Sequence, residues 1–259
     1  MRFCSLGSGS GGNALVIEAR SGATSSRVLV DCGFSQRELE TRLARAGLAV
    51  DDIDAVFVTH EHGDHIGCAV ALSRRHALPL WTSRGTWRAL GEPSLPAGLL
   101  RFARDGEPIA VGDLELHPFT VPHDALEPLQ LRCTDGRRHL GVLTDVGTAT
   151  AHLLAQLQGC DALVLECNHD RTMLAHSRYP ASLKARIGGP HGHLANDSAA
   201  QILAQCHHPK LQHVVAAHLS EQNNSATLAA EALAEACGAR PADIVVAAAA
   251  TGVDWLAVA

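Results

Sequence analysis

No apolar run in this chain approaches the roughly 20 residues that a membrane-spanning helix needs, which excludes a helical membrane protein. The opening residues, Met1 to Leu6, run straight into a glycine-serine loop without the apolar stretch and small-residue cleavage site of a secretion signal, so a cytoplasmic location is expected. None of the eight cysteines forms a Cys-x-x-Cys pair, and their wide spacing is no disulfide framework; reduced, mostly buried thiols are expected, Cys32 and Cys68 included. Excess positive charge is missing too. A net charge of -6 argues against a protein that coats nucleic acid nonspecifically, yet leaves room for a nuclease with local positive charge. There is neither a low-complexity linker nor a short-period repeat. With 46% hydrophobic and 19% charged residues, one domain spanning 1–259 is expected.

What is present is histidine. His60-Glu61-His62-Gly63-Asp64-His65 crowds three imidazoles and two carboxylates, Glu61 and Asp64, into six residues just after the apolar run Ala55-Val56-Phe57-Val58. That run reads as a short buried strand over 54–58, and Thr59 to Gly63 as the turn leaving it, with Gly63 supplying the bend. Side chains spread over a turn can converge on one point, whereas a regular strand would send them to two faces. Imidazole nitrogen with carboxylate oxygen suits zinc, manganese or iron, and a site with open positions activates water for hydrolysis.

Around this cluster, strands are expected at 2–6, 14–18 and 28–30, a helix at 36–46, and one helix running from Asp64 to His76. Hairpins with turns at Gly112-Asp113 and Asp135-Gly136 fill 107–143. Strand and helix then alternate: strands at 140–144, 162–166 and 212–216, helices at 149–158, 196–206 and 226–237, and a closing strand at 244–248. This order predicts an α/β protein with helices outside packed sheets.

Three further residues follow strand-like runs: His123, Asp145 and His218. With these the chain resembles the metallo-β-lactamase superfamily, whose motif His-x-His-x-Asp-His is matched by His60, His62, Asp64 and His65. The resemblance implies an αβ/βα four-layer sandwich, two mixed β-sheets with helices on the outer faces. It also implies two divalent ions, Zn2+ or Mn2+ with Fe as a further possibility. His60, His62 and His123 would hold the first and Asp64, His65 and His218 the second; Asp145 would bridge them, and Asp31 would support the turn. Keeping the bridging aspartate argues against antibiotic hydrolysis. A hydroxide shared by two such ions would be the nucleophile toward a phosphodiester, which gives Asp64 a catalytic as well as a ligand role.

Other segments could meet a phosphate. The loop Gly7 to Asn13 could offer backbone N–H groups and Asn13, or could simply be a tight turn between strands. His193 stands just before the helix that opens at Asn196, where an anion or a plain cap would fit. Asn168 and His169 follow another strand. No acidic residue lies between Arg171 and Asn196, while Arg171, Arg178, Lys184 and Arg186 do, with Tyr179 available for stacking; this stretch could hold a nucleic-acid backbone or be a solvated face. The Gly-Ser-Gly-Ser loop, Asn168-His169-Asp170 and Gly192-His193-Leu194 together resemble the YycJ-like (WalJ-like) branch, which implies 5′-to-3′ exonuclease action, with DNA favoured over RNA as partner. More distant similarity to ribonuclease Z implies that His193 protonates the leaving group and that His169 contacts phosphate. Ala195 stands where the branch more often has serine. Two other readings are a small-molecule hydrolase (thioesterase, lactonase or cyclic-phosphate diesterase) and a noncatalytic metal-stabilised scaffold.

Overall fold

A computed structural model describes all residues, 1–259. The first half of the chain lays down β1 (Arg2–Gly7), β2 (Ala14–Ser21), β3 (Thr24–Val30), α1 (Gln36–Arg45), β4 (Ala55–Phe57), α2 (Gly63–Ile66), α3 (Ala69–His76), β5 (Leu80–Thr82), α4 (Arg84–Ala89) and β6 (Leu100–Phe102). The second half adds β7 (Ile109–Val111), β8 (Leu114–Thr120), β9 (Leu129–Thr134), β10 (His139–Leu143), α5 (Ala151–Leu157), β11 (Ala162–Glu166), α6 (Arg171–His176), α7 (Ala181–Ile187), α8 (Asn196–Cys206), β12 (His213–Ala217), α9 (Ala226–Cys237), β13 (Val245–Val246) and β14 (Val253–Ala257).

These strands form two seven-stranded sheets, ordered β14-β1-β2-β3-β4-β5-β6 and β13-β12-β11-β10-β9-β8-β7. Both are mixed: antiparallel hairpins such as β1-β2-β3 and β7-β8-β9 continue into parallel neighbours such as β3-β4 and β10-β11-β12. One core lies between the sheets, built on Phe3, Ile17, Phe57, Leu116, Leu131 and Val142. A second packs α5, α8 and α9 on one outer face, and a third packs α1 and α3 on the other. Strands apolar on both faces require this covering, and the four-layer αβ/βα expectation holds. No helix is long and apolar enough to cross a membrane. All eight cysteines are free, and only Cys68 and Cys237 are not buried.

Three local expectations need correction. The helix expected from Asp64 to His76 is two, α2 and α3, broken at Gly67 (φ 30°). A Cβ there would lie 2.2 Å from the Cys32 carbonyl oxygen, so the break is where two backbones pass. Gly63 does not supply the bend: its φ is not positive, and a Cβ on it would meet open space. The closing strand is β14, not the segment at 244–248, of which only Val245–Val246 is strand; β14 returns to pair antiparallel with β1. Strands β5 and β6 and helix α4, between 77 and 106, carry too short a pattern to have been read.

Candidate metal centre

The chain leaves β4 at Phe57, and His60, His62, Asp64 and His65 then spread over a turn and the single turn of α2. Asp31, just past β3 and at φ 63°, fixes that turn. It accepts from the Thr59 amide at 2.9 Å, from the Thr59 hydroxyl at 3.0 Å and from His65 Nδ1 at 2.7 Å. Gly33 lets the same loop pass beneath: a Cβ on it would fall 1.7 Å from the Asp64 carbonyl oxygen.

With the Nδ1 proton given to Asp31, His65 presents a bare Nε2, and this faces Asp145 Oδ2 at 2.9 Å. Neither atom is then a donor, and Asp145 Oδ2 is buried without a hydrogen-bond partner. Lone pairs held against each other call for a cation.

The remaining donors are arranged likewise. His123 donates from Nδ1 to the Gly192 carbonyl (2.9 Å), and His60 Nδ1 lies 3.0 Å from the Thr59 hydroxyl, so both keep Nε2 bare. His62 Nδ1 lies 3.1 Å from His60 Nε2 and 3.3 Å from His123 Nε2, a tripod of imidazole nitrogens. Asp64 Oδ2 stands 3.3 Å from His218 Nε2 and 3.5 Å from His65 Nε2. Within each trio the ligand atoms lie within 4.8 Å of one another. All seven expected ligands meet, His218 from a strained backbone at φ 54° just after β12. The set fits two divalent ions of the zinc, manganese or iron kind.

Without ions, protons meet the same demand. Burial drives His60 well below the ordinary imidazole range, toward the neutral ligand form. Burial also opposes charge on His218, but Asp145 with hydrogen bonds to Asp64 and Glu166 overcomes it and pushes the ring up to about 10.

Glu166, at the end of β11, carries a role that its sequence context does not reveal. Its buried carboxylate accepts from His193 Nδ1 at 2.7 Å and lies 3.1 Å from His218 Nδ1, while the amides of Val146 and Leu194 also donate to it. One carboxylate thus orients a metal ligand and the ring beside it. Burial disfavours a charged His193, but Glu166 and Asp145 outweigh it and raise its pKa, so His193 tends to hold a proton. A carboxylate ending a buried parallel strand was the only available signal.

Several expected phosphate contacts lie elsewhere. Asn13 is buried beneath the turn, its amide shared among the Gly9 carbonyl and Asp64, with Nδ2 3.2 Å from His65 Nε2. It props the ligands rather than lining the cleft, and the Gly7 to Asn13 loop is tied inward by Ser8, whose hydroxyl accepts from the His218 amide. Asn168 is buried with its amide on the His218 carbonyl. His169 is buried, and burial lowers its pKa to about 4, so it is neutral near pH 7.

The open cleft over the ligands has a volume of about 420 Å³, and Ser10, Tyr179, Leu183, Arg186 and His193 line it. Of the four expected basic residues, only Arg186 reaches it. Arg171 pairs with Asp197 at 2.8 Å, Lys184 donates to the Ala175 carbonyl at 2.6 Å, and Arg178 points into solvent. Arg186 itself is paired with Asp124. The stretch lacks acids of its own, but the fold brings them from outside it.

A β-lactamase superfamily domain model matches residues 26–218. The chain is 35% identical to an exodeoxyribonuclease YycJ of Bacillus anthracis over 88% of this chain and 86% of that one. It is 30% identical to an exodeoxyribonuclease WalJ of Streptococcus pneumoniae over 88% and 85%. A metallo-β-lactamase fold protein, YhfI from Bacillus subtilis, superimposes with a TM-score of 0.73 over 98% of both chains at 15% identity, a likeness of fold alone. With a family model over most of its length, two relatives aligned nearly end to end and every ligand of the motif gathered at one point, the chain belongs to the metallo-β-lactamase superfamily, in the branch of YycJ and WalJ.

Proposed function

We propose that this protein is a two-metal phosphodiesterase that acts as a DNA exonuclease, trimming from the 5′ end, with Zn2+ or Mn2+ in the ligand set. The observation that carries the hydrolytic reading is the convergence of the two ligand trios with the orphaned Asp145 Oδ2, beside a His193 whose Nδ1 is held by Glu166. Bound divalent ions supply Lewis acidity and an activated water to such a site. The chain's own residues do the rest. Asp31 and Asn13 hold the turn in register, Glu166 fixes the tautomers of His218 and His193, and His193, its Nδ1 on Glu166, has Nε2 free to give a proton to a leaving oxygen at the cleft. Arg186 supplies a guanidinium for a nonbridging oxygen and Tyr179 a ring face for a base.

The DNA and exonuclease parts rest on the relatives' names, and the 5′ direction on the resemblance to their branch. A small-ester hydrolase is the second reading, because Asp124 neutralises Arg186, the one of the four expected basic residues that reaches the cleft. The deciding test is digestion of 5′-phosphorylated and 5′-hydroxyl DNA and RNA, with thioester and bis(p-nitrophenyl) phosphate alongside, by protein reconstituted with manganese or zinc and by Asp64→Ala. Stepwise release of nucleotides from the 5′ end, absent in the variant, supports the proposal. Turnover of the thioester without nucleic-acid cleavage replaces it with the second reading.

A further inference from the structure

Asp124 directly follows the ligand His123 and was singled out by nothing in the sequence. Its Oδ1 lies 3.4 Å from His123 Nε2, a ligand atom of the first trio, and 3.8 Å from Nε2, the outer nitrogen of the His62 ring, while its Oδ2 accepts from Arg186 Nε across the cleft. The side chain keeps 28% of its surface exposed on the cleft wall, unlike the sunken ligand Asp145. That guanidinium is its sole hydrogen-bond partner. A single anion therefore reaches the first ion site with one oxygen and the cleft's arginine with the other. A nonbridging pair of phosphate oxygens would do the same, since the guanidinium fork matches carboxylate and phosphate alike.

We infer that Asp124 is an internal stand-in for the substrate phosphate, holding the place between the His60, His62, His123 site and Arg186, and that a phosphodiester binds by displacing it. The placement rests on the two-metal phosphodiesterase reading. Displacement is inexpensive on the Arg186 side, because that side chain is 58% exposed and can turn toward the incoming phosphate without unpacking the core. The exchange makes the cleft self-screened: polyanions that reach both the ions and Arg186 compete successfully, and a lone weak anion does not.

The test is calorimetric binding of orthophosphate to metal-loaded protein, with ion content measured on the same samples. Asp124→Asn should keep two ions per chain and bind phosphate about tenfold more tightly, the gain expected when a state that occludes the site nine times in ten is removed. Adding Arg186→Gln to Asp124→Asn should reverse most of that gain. Unchanged or weaker phosphate binding in Asp124→Asn, or loss of an ion, overturns the inference and makes Asp124 part of the ion site. No turnover is needed, so a wild type that cleaves no nucleic acid would defeat the exonuclease reading while leaving this measurement intact.

Discussion

Individual side chains here are set by what stands behind them. As the proposed general acid, His193 depends on Glu166, which occupies its Nδ1 and also faces His218. Replacing His193 by alanine should leave both ions bound and KM within a few-fold, while kcat falls about 10²- to 10⁴-fold, the usual worth of a general acid. Steady-state kinetics with ion analysis check this; a loss of ions would make His193 a ligand instead. The six-residue histidine cluster announced itself in the sequence because its spacing is local. Glu166 and Asp124 did not, because their partners lie 27 and 62 residues away. The acids that pair with Arg171 and Arg186 were illegible for the same reason, being supplied by other segments.

At the scale of elements, two features of the first sheet carry predictions. The loop after β3 passes under α2 so closely that Gly33 has no room for a Cβ. Gly33→Ala should therefore destabilise by about 3 kcal/mol and weaken ion binding as well, because the obstructing atom is backbone and cannot turn aside. Denaturant titration with and without metal measures both effects. On β2, Glu18 sits between Arg2 of β1 and Arg27 of β3 in register, with Arg20 two residues on along the same face. Burial resists its ionisation, yet the three guanidinium groups, at 2.6–2.7 Å, bring it from 4.5 down to about 2. A depressed carboxyl stabilises the fold above its unfolded pKa and loses that contribution as pH falls through the folded value. Glu18→Gln should thus cost on the order of 2–3 kcal/mol at pH 7 and show a flatter stability profile between pH 4.5 and 2. Thermal unfolding across that window tests it. These strands were readable because alternation is a period-two signal; β14 was not, since its place beside β1 joins opposite ends of the chain.

For the whole molecule, the centre is a seam between the two sheets. His60, His62, Asp64 and His65 come from the first, and His123, Asp145 and His218 from the second, so bound ions tie the halves together. Each ion present at about 100 times its Kd should add about 2.7 kcal/mol to stability, and chelation of both should lower Tm by about 10–20 °C in one cooperative step. Calorimetry with and without chelator reads this directly, and an unchanged Tm would refute the cross-link. The sequence by itself determined the ligand chemistry, the turn that gathers four of the ligands, and the alternation that builds two covered sheets, because each depends on residues close together along the chain. Only the tertiary structure decided which carboxylates stand behind which histidines, that Asn13, Asn168 and His169 face inward, and that Asp124 holds the cleft's arginine. Those are contacts between distant segments, and their geometry exists only once the two sheets have closed on each other.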